Sequence, residues 1–529
     1  MSTTNLLNGF DMVAALSQNF LNSQLAAISQ NPNSKPPPPH QKPSYAIADS
    51  FTLQLDPTAT AGTPAAWNSV IVTQMSPPTV TIGANNTVVL TLHITAGTVQ
   101  YIDMSAVQQT ASLADTDISF TVNMSLADMP DADSLAAPQQ TIDQLNTFQT
   151  SDFSIQFLAL EFESASMISS CDVSSPNFTK GSRQYIVLLN CLNAYLQGNN
   201  PYILGYPIQT VNPAVTNPTL PAFAPTSCEF STTVNANDAG LSTLNYCLMT
   251  NHDEFPTDAS SGIFNTPWLT DDSEAGMLTI SNDVFVNGYL IPLVLPQIKS
   301  AFFMPACPKS PYPQPPSSAL VNNISDWTST PAGWSLTLTQ NNTANDSRGI
   351  LVNAPGQPDY YQCIDNTITC NVSLSNENGN MTITATVDIN FYTKVAMQEM
   401  QNTNWVEQNI TQNFDLILTF TAGDNGTIII KPMITPSPLP PPSGGTPTLG
   451  PSAKFGADLS STLTSKFDSI GTNITAMVSQ LTSDFAINIG NDMSFLNNQF
   501  VLPAASVFNY NGLAFNSEQD MQVSIANAA

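Results

Sequence analysis

Three proline-rich connectors divide this chain into segments whose order repeats. They span residues 31–43, 304–318 and 431–451. Proline fixes φ and has no backbone N–H, so such stretches do not continue helices or enter the middle of sheets. The first two connectors each follow a helix pattern and precede a run of strand patterns. This repeated order predicts an internal structural duplication, with one half at 1–275 and the other at 276–529.

Three segments have the apolar spacing of an amphipathic helix. The first is predicted over 6–29 and the second over 283–303, where Pro292 and Pro296 predict kinks. The third is predicted over 457–489, and its apolar face runs for about 40 Å at 1.5 Å per residue. A helix packed on an ordinary core, one arm of a helical dimer, and a helix enclosed by an elongated sheet all fit this third pattern.

The segments between the helices have the period-two pattern of β-strands. The clearest examples are Phe51–Leu55, Val88–Ile94, Ile118–Leu126, Trp334–Leu338 and Met381–Phe391. The run from Phe153 to Phe162 is apolar at nearly every position and is predicted to be buried on both faces. The chain is therefore predicted to be a strand-rich α+β protein.

The charge balance excludes several classes of function. The chain carries 39 acidic and 11 basic residues, so its formal net charge is −28, and only 9% of its residues are charged against a usual value of about 25%. Coulomb repulsion on this scale opposes binding to nucleic acids and to anionic membranes. The hydrophobic fraction of 42% is enough for a sizeable core.

Neither a membrane span nor a secretory signal peptide is predicted. The most apolar stretch, Tyr289 to Met304, is interrupted by two prolines and is too short to cross about 30 Å of hydrocarbon. The first ten residues lack a basic region followed by a continuous apolar run. We therefore expect a protein that stays in the cytoplasm or is released by a route that needs no signal peptide, with secretion favoured.

The sequence contains few of the residue patterns that support catalysis or metal binding. Of three histidines, His93 lies in a strand pattern and is expected to be structural, and the pair Cys247 and His252 has no catalytic spacing. Two acidic clusters lack the spacing of a calcium loop and are expected to be solvated loops; they are Asp128, Asp131, Asp133 and Asp271, Asp272, Glu274. The expectation is a protein that is not an enzyme and has no catalytic residues, metal site or cofactor, with an unrecognised hydrolase as a minor alternative.

The seven cysteines show no C-x-x-C spacing, and most are expected to be buried as small apolar residues. Cys363 and Cys370 flank a turn-like segment, and their spacing fits a disulfide across a hairpin. A free state of both cysteines remains the alternative.

Several segments spread over residues 9 to 525 resemble a known family in their order. They are Gly9-Phe10-Asp11, Asn200–Pro207, Ser242–Asn251, Phe285 with Tyr289–Pro292 and Leu295–Pro296, and the ending from Leu502 through Tyr510, Phe515 and Asp520. Together they resemble the bacterial TULIP (tubular lipid-binding) proteins of the OrfX type, which are encoded in clostridial neurotoxin gene clusters. The chain departs from that pattern at Phe10, where the family has Trp, and at Ala504 and Ala505, where glycines are expected.

The resemblance implies two TULIP-like halves in a pseudo-twofold arrangement. Each half would be a highly curved antiparallel β-sheet wrapped around a long amphipathic α-helix, with a groove that accepts an acyl chain. The ligand implied is a phospholipid or fatty acid, and protein partners in a toxin complex are implied as well. The third helix supplies the candidate residues of the lipid groove, which would otherwise form a closed core: Leu459, Leu463, Phe467, Ile470, Ile474, Met477, Leu481 and Phe485.

The leading interpretation is a non-enzymatic lipid-binding protein that is an accessory or active component of a bacterial toxin system. The first alternative is a structural scaffold or adhesin whose hydrophobic core is filled. The second is a membrane-permeabilising toxin, in which the long helix would leave the core.

Overall fold

The structure is a computed structural model, and its chain forms two compact units. Unit 1 contains Met1–Phe285, Gly423–Thr427 and Asp492–Ala529, and unit 2 contains Val286–Ala422 and Ile428–Asn491. The residues that the structure describes are 6–29, 50–56, 58, 67–128, 142–143, 145, 153–161, 170–198, 203–210, 225–257, 264–271, 274–302, 321–324, 328–330, 333–345, 360–377, 380–397, 400–422, 428–435, 443–444, 448–449, 472–473, 475–483, 500–501 and 508–527.

Unit 1 contains a six-stranded antiparallel sheet built from distant parts of the chain. Its strand order is β10-β11-β1-β12-β24-β23. The strands are β1 (Met12–Ser17), β10 (Pro225–Thr233), β11 (Thr243–Thr250), β12 (Gly276–Ile280), β23 (Phe508–Phe515) and β24 (Met521–Asn527). A short 3₁₀ helix, Ala239–Leu241, connects β10 to β11. Strands β23 and β24, which the sequence analysis assigned to the second half, thus belong to the same unit as β1.

The predicted helix over 6–29 is wrong in its first part, because residues Met12–Ser17 form strand β1 and the helix α1 begins only at Gln18 and ends at Ser29. All six residues of β1 are buried. A short, continuously apolar segment does not distinguish a buried strand from a buried helix by its periodicity. Here β11 on one side and β12 on the other satisfy the backbone of β1, and this pairing decides the conformation.

The second sheet of unit 1 has the order β2-β3-β4-β6-β7-β9-β22, with β5 added to β4 and β8 added to β6. Every ladder between its described strands is antiparallel. The strands are β2 (Phe51–Gln54), β3 (Ser69–Ile82), β4 (Thr87–Ile102), β5 (Gln108–Ser112), β6 (Thr116–Asp128), β7 (Phe153–Glu161), β8 (Asp172–Ser174), β9 (Ile203–Thr210) and β22 (Phe500–Val501).

The helices α1 and α2 (Arg183–Gly198) both pack against β3. Strand β2 pairs only with residues 69–72 of β3. Further along β3, side chains of α1 form hydrogen bonds with its backbone. The Asn22 amide accepts from the Val80 N–H at 2.7 Å and donates to the Val80 carbonyl at 3.1 Å, and Gln18 accepts from the Ile82 N–H at 2.8 Å. These contacts supply partners that a neighbouring strand would otherwise provide, and so they join α1 to this part of β3.

The sheet of unit 2 has the order β13-β15-β16-β17-β18-β19, with β14 added to β15 and with β20 and β21 added to β18. Its strands are β13 (Val321–Ile324), β14 (Thr328–Thr330), β15 (Gly333–Asn345), β16 (Tyr360–Glu377), β17 (Asn380–Met397), β18 (Met400–Ala422), β19 (Ile428–Thr435), β20 (Ser443–Gly444) and β21 (Thr448–Leu449). Its described ladders are all antiparallel. The protein is therefore an α+β protein with antiparallel sheets.

The helical segment predicted over 283–303 is present as a π-helix, Asp283–Leu290, that continues into α3, Ile291–Phe302. Pro296 lies inside α3. Of the long helix predicted over 457–489, residues 472–473 and 475–483 are described and are helical. The predicted connectors 31–43 and 304–318 lie outside the described residues, as does most of 431–451.

The hairpin proposed between Cys363 and Cys370 is wrong. Both residues lie in the single strand β16, where Cys363 pairs with Lys394 and Cys370 pairs with Val387. Seven residues of extended strand span about 23 Å, whereas the Cα atoms of a disulfide lie less than about 7 Å apart. The two cysteines cannot bond to each other in this fold.

The contact between α1 and β3 leads to the first prediction. Asn22→Ala removes both bonds to Val80 and leaves a partly buried backbone N–H and carbonyl without partners. We expect a loss of about 1–3 kcal/mol in the free energy of unfolding, measured by urea denaturation. The control is Asn190→Ala on the exposed side of α2, which should change the free energy by less than about 0.5 kcal/mol. Equal effects of the two variants would contradict the role assigned to Asn22.

Candidate functional site

One continuous apolar face runs across β3, β4 and β6. The register places Val80 beside Leu90 and Leu90 beside Phe120, and it places Ile82 beside Val88 and Val88 beside Val122. All of these side chains are buried. This face and the buried residues of the two helices that pack against β3 are together called the helix–sheet interior. The buried helical residues are Gln18, Phe20, Leu21, Gln24 and Leu25 of α1 and Tyr185, Val187, Leu188, Cys191 and Leu192 of α2.

Of the two glutamines in this set, Gln18 accepts from the Ile82 N–H, and Gln24 is the one that lies between apolar neighbours. At about 100° per residue it lies on the same side of α1 as Phe20 and Leu21, and only 3% of its surface is exposed. Its amide oxygen has no donor among the described residues. A buried amide without a hydrogen bond costs about 1–3 kcal/mol, so a ligand that supplies a donor at this position would gain a corresponding advantage.

The signal for Gln24 was present in the sequence but was missed. The apolar positions of the first helix pattern include Leu21 and Leu25, and Gln24 lies between them on the same stripe. A long polar side chain inside an apolar stripe indicates either a satisfied core hydrogen bond or a site for a ligand.

Two of the eight predicted groove residues lie in the described part of the chain. Met477 and Leu481 are buried, and because they are four residues apart they share one side of the helix over 475–483. Thr475, Ser479 and Thr482 of the same helix are exposed. The other six, Leu459, Leu463, Phe467, Ile470, Ile474 and Phe485, lie outside the described residues, and the lipid groove along this helix stays a prediction.

Residues that carry the family resemblance meet in the six-stranded sheet. The Asp11 carboxylate accepts from the backbone N–H and from the hydroxyl of Thr250, each at 2.7 Å. Asp520 accepts from the Asn282 N–H at 3.0 Å, and the rings of Phe285 and Phe515 lie 5.9 Å apart. These contacts join the beginning, the middle and the end of the chain, so their role is architectural.

Asp11 and Asp520 are costly as charged groups in these positions. Burial is the main cause that raises the pKa of Asp11, while its hydrogen bonds with Thr250 oppose the rise and the charges of Asp253 and Asp283 add to it. Burial likewise raises the pKa of Asp520, and the charges of Glu518 and Asp283 act in the same direction. Both carboxyl groups therefore bind protons more tightly in the folded protein than in the unfolded chain.

His93 links three neighbouring strands. Its Nδ1 lies 2.8 Å from the Asp117 carboxylate of β6, and its Nε2 lies 2.9 Å from the Thr79 hydroxyl of β3. The order hydroxyl, imidazole, carboxylate is also that of a catalytic triad. Here the three side chains are partly exposed and extend across adjacent strands, so the geometry supports the structural role expected for His93.

The remaining sequence candidates have ordinary structural surroundings. Burial raises the pKa of the Cys247 thiol to about 12, whereas His252 lies in an exposed turn. In the acidic clusters, Asp128 accepts from Gln156 at 2.9 Å and Glu274 accepts from Ser524 at 2.7 Å. Asp131, Asp133 and Asp272 lie outside the described residues. Within the described part of the chain, no group of three His, Cys, Asp or Glu residues is placed to hold a metal ion.

No helix formed by the described residues is long and apolar enough to cross a membrane.

The structure is similar to that of P47 of Clostridium botulinum E1, with a TM-score of 0.48 and 12% sequence identity over 98% of this chain and 99% of that chain. It is also similar to that of a lipopolysaccharide binding protein, with a TM-score of 0.30 and 10% identity over 98% of this chain and 99% of that one. No protein-family model matches the chain, and a search of curated proteins finds no match. Both TM-scores lie below 0.5, so neither likeness decides the function.

The raised pKa values of Asp11 and Asp520 lead to the second prediction. A carboxyl group whose pKa is higher in the folded state contributes most stability below its unfolded pKa and loses that contribution as the pH rises through the folded pKa. We therefore expect the urea midpoint to rise as the pH falls from 7 towards 4, and the variant Asp11→Asn/Asp520→Asn to show a smaller rise.

The matched control for this prediction is Asp115→Asn. Asp115 is exposed and has a φ of 53°, a conformation that asparagine also adopts readily. Its pH profile should follow that of the unmodified protein. If the urea midpoint of the double variant changes with pH as steeply as that of the unmodified protein, the two buried carboxyl groups do not control the pH dependence.

Proposed function

We propose that this protein is a non-enzymatic lipid-binding protein that holds an amphiphile in the helix–sheet interior of unit 1. The acyl chain would pack against the apolar face of β3, β4 and β6 and against the buried sides of α1 and α2. Apolar walls with one or a few polar groups that fix orientation are typical of sites for lipid-like ligands.

The observation that carries the proposal is the unpaired amide oxygen of Gln24. It is an acceptor, so the ligand group that it favours is a hydroxyl or a protonated acid next to an acyl chain. In an ordinary core we would expect a leucine or methionine at this position, because a buried amide oxygen without a hydrogen bond lowers the stability of the fold. A fatty acid or a lipid with a hydroxyl-bearing headgroup would provide both the donor and the apolar surface.

The finer parts of the proposal extend the sequence analysis. Each half would be a TULIP-like sheet around a helix, and the face that includes Met477 and Leu481 would form a second acyl groove in unit 2. The protein would act as an accessory or active component of a bacterial toxin system. The lipopolysaccharide binding protein mentioned above is named for a lipid ligand, but a TM-score of 0.30 is too low for this likeness to support the proposal.

The experiment that tests lipid binding is mass spectrometry of organic extracts from the full chain, purified without detergent. We expect a fatty acid or phospholipid in a ratio to protein near one or two. An empty extract, repeated after incubation with mixed liposomes, would reject lipid binding and would favour the scaffold with a filled core.

Gln24→Leu gives the third prediction, in which stability and binding change in opposite directions. In delipidated protein the variant should gain up to about 1–3 kcal/mol in the free energy of unfolding, because a buried amide oxygen without a partner is removed. It should retain at least about fivefold less copurified lipid, since the polar contact is lost. Thermal melting and extract mass spectrometry measure the two effects.

The control for this prediction is Asn190→Leu on the exposed side of α2, which should change neither lipid retention nor, by more than about 0.5 kcal/mol, the stability. If Gln24→Leu retains lipid as the unmodified protein does, the helix–sheet interior is not the binding site.

A further inference from the structure

The walls of the helix–sheet interior carry few groups that are charged near neutral pH. The helix α1 and the strand β3 contain no Asp, Glu, Lys, Arg or His. In the other three wall elements, residues of these types are His93 of β4, Asp117 and Asp128 of β6, and Arg183 of α2. Whether the interior can hold a charged ligand therefore depends on where these four side chains lie.

His93 and Asp117 lie on the opposite face of the sheet from the apolar wall. They are paired in the register of β4 and β6, and successive residues of a strand alternate between the two faces. Their neighbours Leu92 and Ile118 are buried, whereas 31% of the His93 side chain and 55% of the Asp117 side chain are exposed. The hydrogen bond between His93 and Asp117 is therefore outside the interior.

The other charged residues on the elements around the interior are at the surface. Asp128, Asp172 and Arg183 are exposed, and so is Asp238, which precedes the 3₁₀ helix that contacts α1. At the end of β7, Glu161 is paired with Asn123, an exposed residue of the outer face. The charged residue among the buried polar residues of the described chain is Asp520, which belongs to the six-stranded sheet. Within the described residues, the interior thus contains no charged side chain.

Cations are scarce throughout unit 1. Four of the chain's 11 Lys and Arg residues belong to this unit, namely Lys35, Lys42, Lys180 and Arg183. Lys180 and Arg183 are exposed, and the other two lie outside the described residues. An anion that is removed from water needs a cation or several hydrogen-bond donors to offset its lost hydration. The described walls offer no cation to a phosphate or to an ionised carboxylate.

We propose that the helix–sheet interior selects neutral acyl lipids with a free hydroxyl group, which donates to the amide oxygen of Gln24. A monoacylglycerol and a long-chain alcohol belong to this class. The proposal rests on the proposed function and narrows its ligands. A fatty acid would bind in its protonated form, and a phospholipid would bind more weakly than a neutral lipid with the same acyl chain.

The Gln24 oxygen distinguishes a hydroxyl group from an anion. This oxygen is buried and has no donor among the described residues. A hydroxyl group supplies the donor, whereas an ionised carboxylate or a fully ionised phosphate only accepts hydrogen bonds, and its charge would face the negative end of the amide dipole. The anion would lose its hydration and gain neither a donor from Gln24 nor a cation from the walls.

The first test compares two ligands that differ by one phosphate group. Delipidated full chain is titrated calorimetrically at pH 8 with monopalmitoylglycerol and with the lysophosphatidic acid that has the same palmitoyl chain, both below the concentrations at which they aggregate. The neutral lipid should bind at least about tenfold more tightly, because the phosphate must be desolvated without a cation. Equal affinities would overturn the proposal.

The second test uses the pH dependence of fatty acid binding. The protonated fraction of a carboxylic acid with a pKa of about 4 falls tenfold for each pH unit above that value. The apparent affinity for palmitic acid should therefore fall about a hundredfold from pH 6 to pH 8. Monopalmitoylglycerol is the control for effects of pH on the protein, and its affinity should change less than about twofold. Palmitic acid that binds equally well at both pH values would show that the interior accepts the anion.

The third test assigns the selection to Gln24. Hexadecanol should bind the unmodified protein about tenfold more tightly than its methyl ether, which has the same chain but no hydroxyl donor. In Gln24→Leu this preference should shrink to less than about twofold, and in the control Asn190→Leu it should persist. Thermal melting checks that both variants are folded. A hydroxyl preference that survives in Gln24→Leu would overturn the contact with Gln24.

These measurements separate the failure of this proposal from the failure of the proposed function. If none of the ligands binds to the delipidated protein, lipid binding in the interior is rejected, and the selection is rejected with it. If the neutral and the ionised ligands bind equally well, lipid binding stands and the selection of neutral lipids is rejected alone.

Discussion

The position of β1 at the centre of the six-stranded sheet is the constraint on which unit 1 depends. Its six residues pair with β11 on one side, and the first five of them pair with β12 on the other, although these strands lie more than 200 residues further along the chain. Asp11, directly before β1, is bonded to the end of β11 through Thr250, and its carbonyl accepts from the Ser281 N–H just after β12 at 2.8 Å. The start of the chain must therefore be in place before the sheet can close, and α1, which follows β1 directly, is positioned by the same strand.

This arrangement explains why the order of scattered segments carried more information than any one of them. Strand β24 pairs with β12, so the end of the chain joins the sheet through the same neighbour as its beginning. Asp520 then bonds to the Asn282 N–H at the start of the π-helix. These residues from distant segments therefore contact one another in the folded sheet, where they hold its strands together.

The sequence predicted a segment correctly where the pattern of its own residues determines its conformation, and wrongly where contacts with distant segments determine it. The alternation Val88–Leu90–Leu92–Ile94 predicted a half-buried strand, and β4 shows that burial, because one face packs on apolar neighbours. The same reasoning failed at Met12–Ser17, where partners on both sides override the pattern, and at Cys363 and Cys370, where a turn-like composition lies inside one long strand. Gln24 is visible in the sequence as a polar residue inside an apolar stripe, but whether its amide oxygen finds a donor depends on the surrounding fold, which the pattern does not give.

The low charge content changes what holds the unit together. Because only 9% of the residues are charged, neutral side chains form polar contacts inside the unit. Fully buried Asn245 donates to Ser231 at 3.1 Å and to Thr233 at 2.9 Å and accepts from Thr243 at 2.7 Å, which joins β10 to β11. Such contacts lose little to desolvation when both partners are neutral and satisfied, and they are insensitive to salt. Asparagine, serine and threonine side chains therefore stabilise this part of the interior through neutral hydrogen bonds.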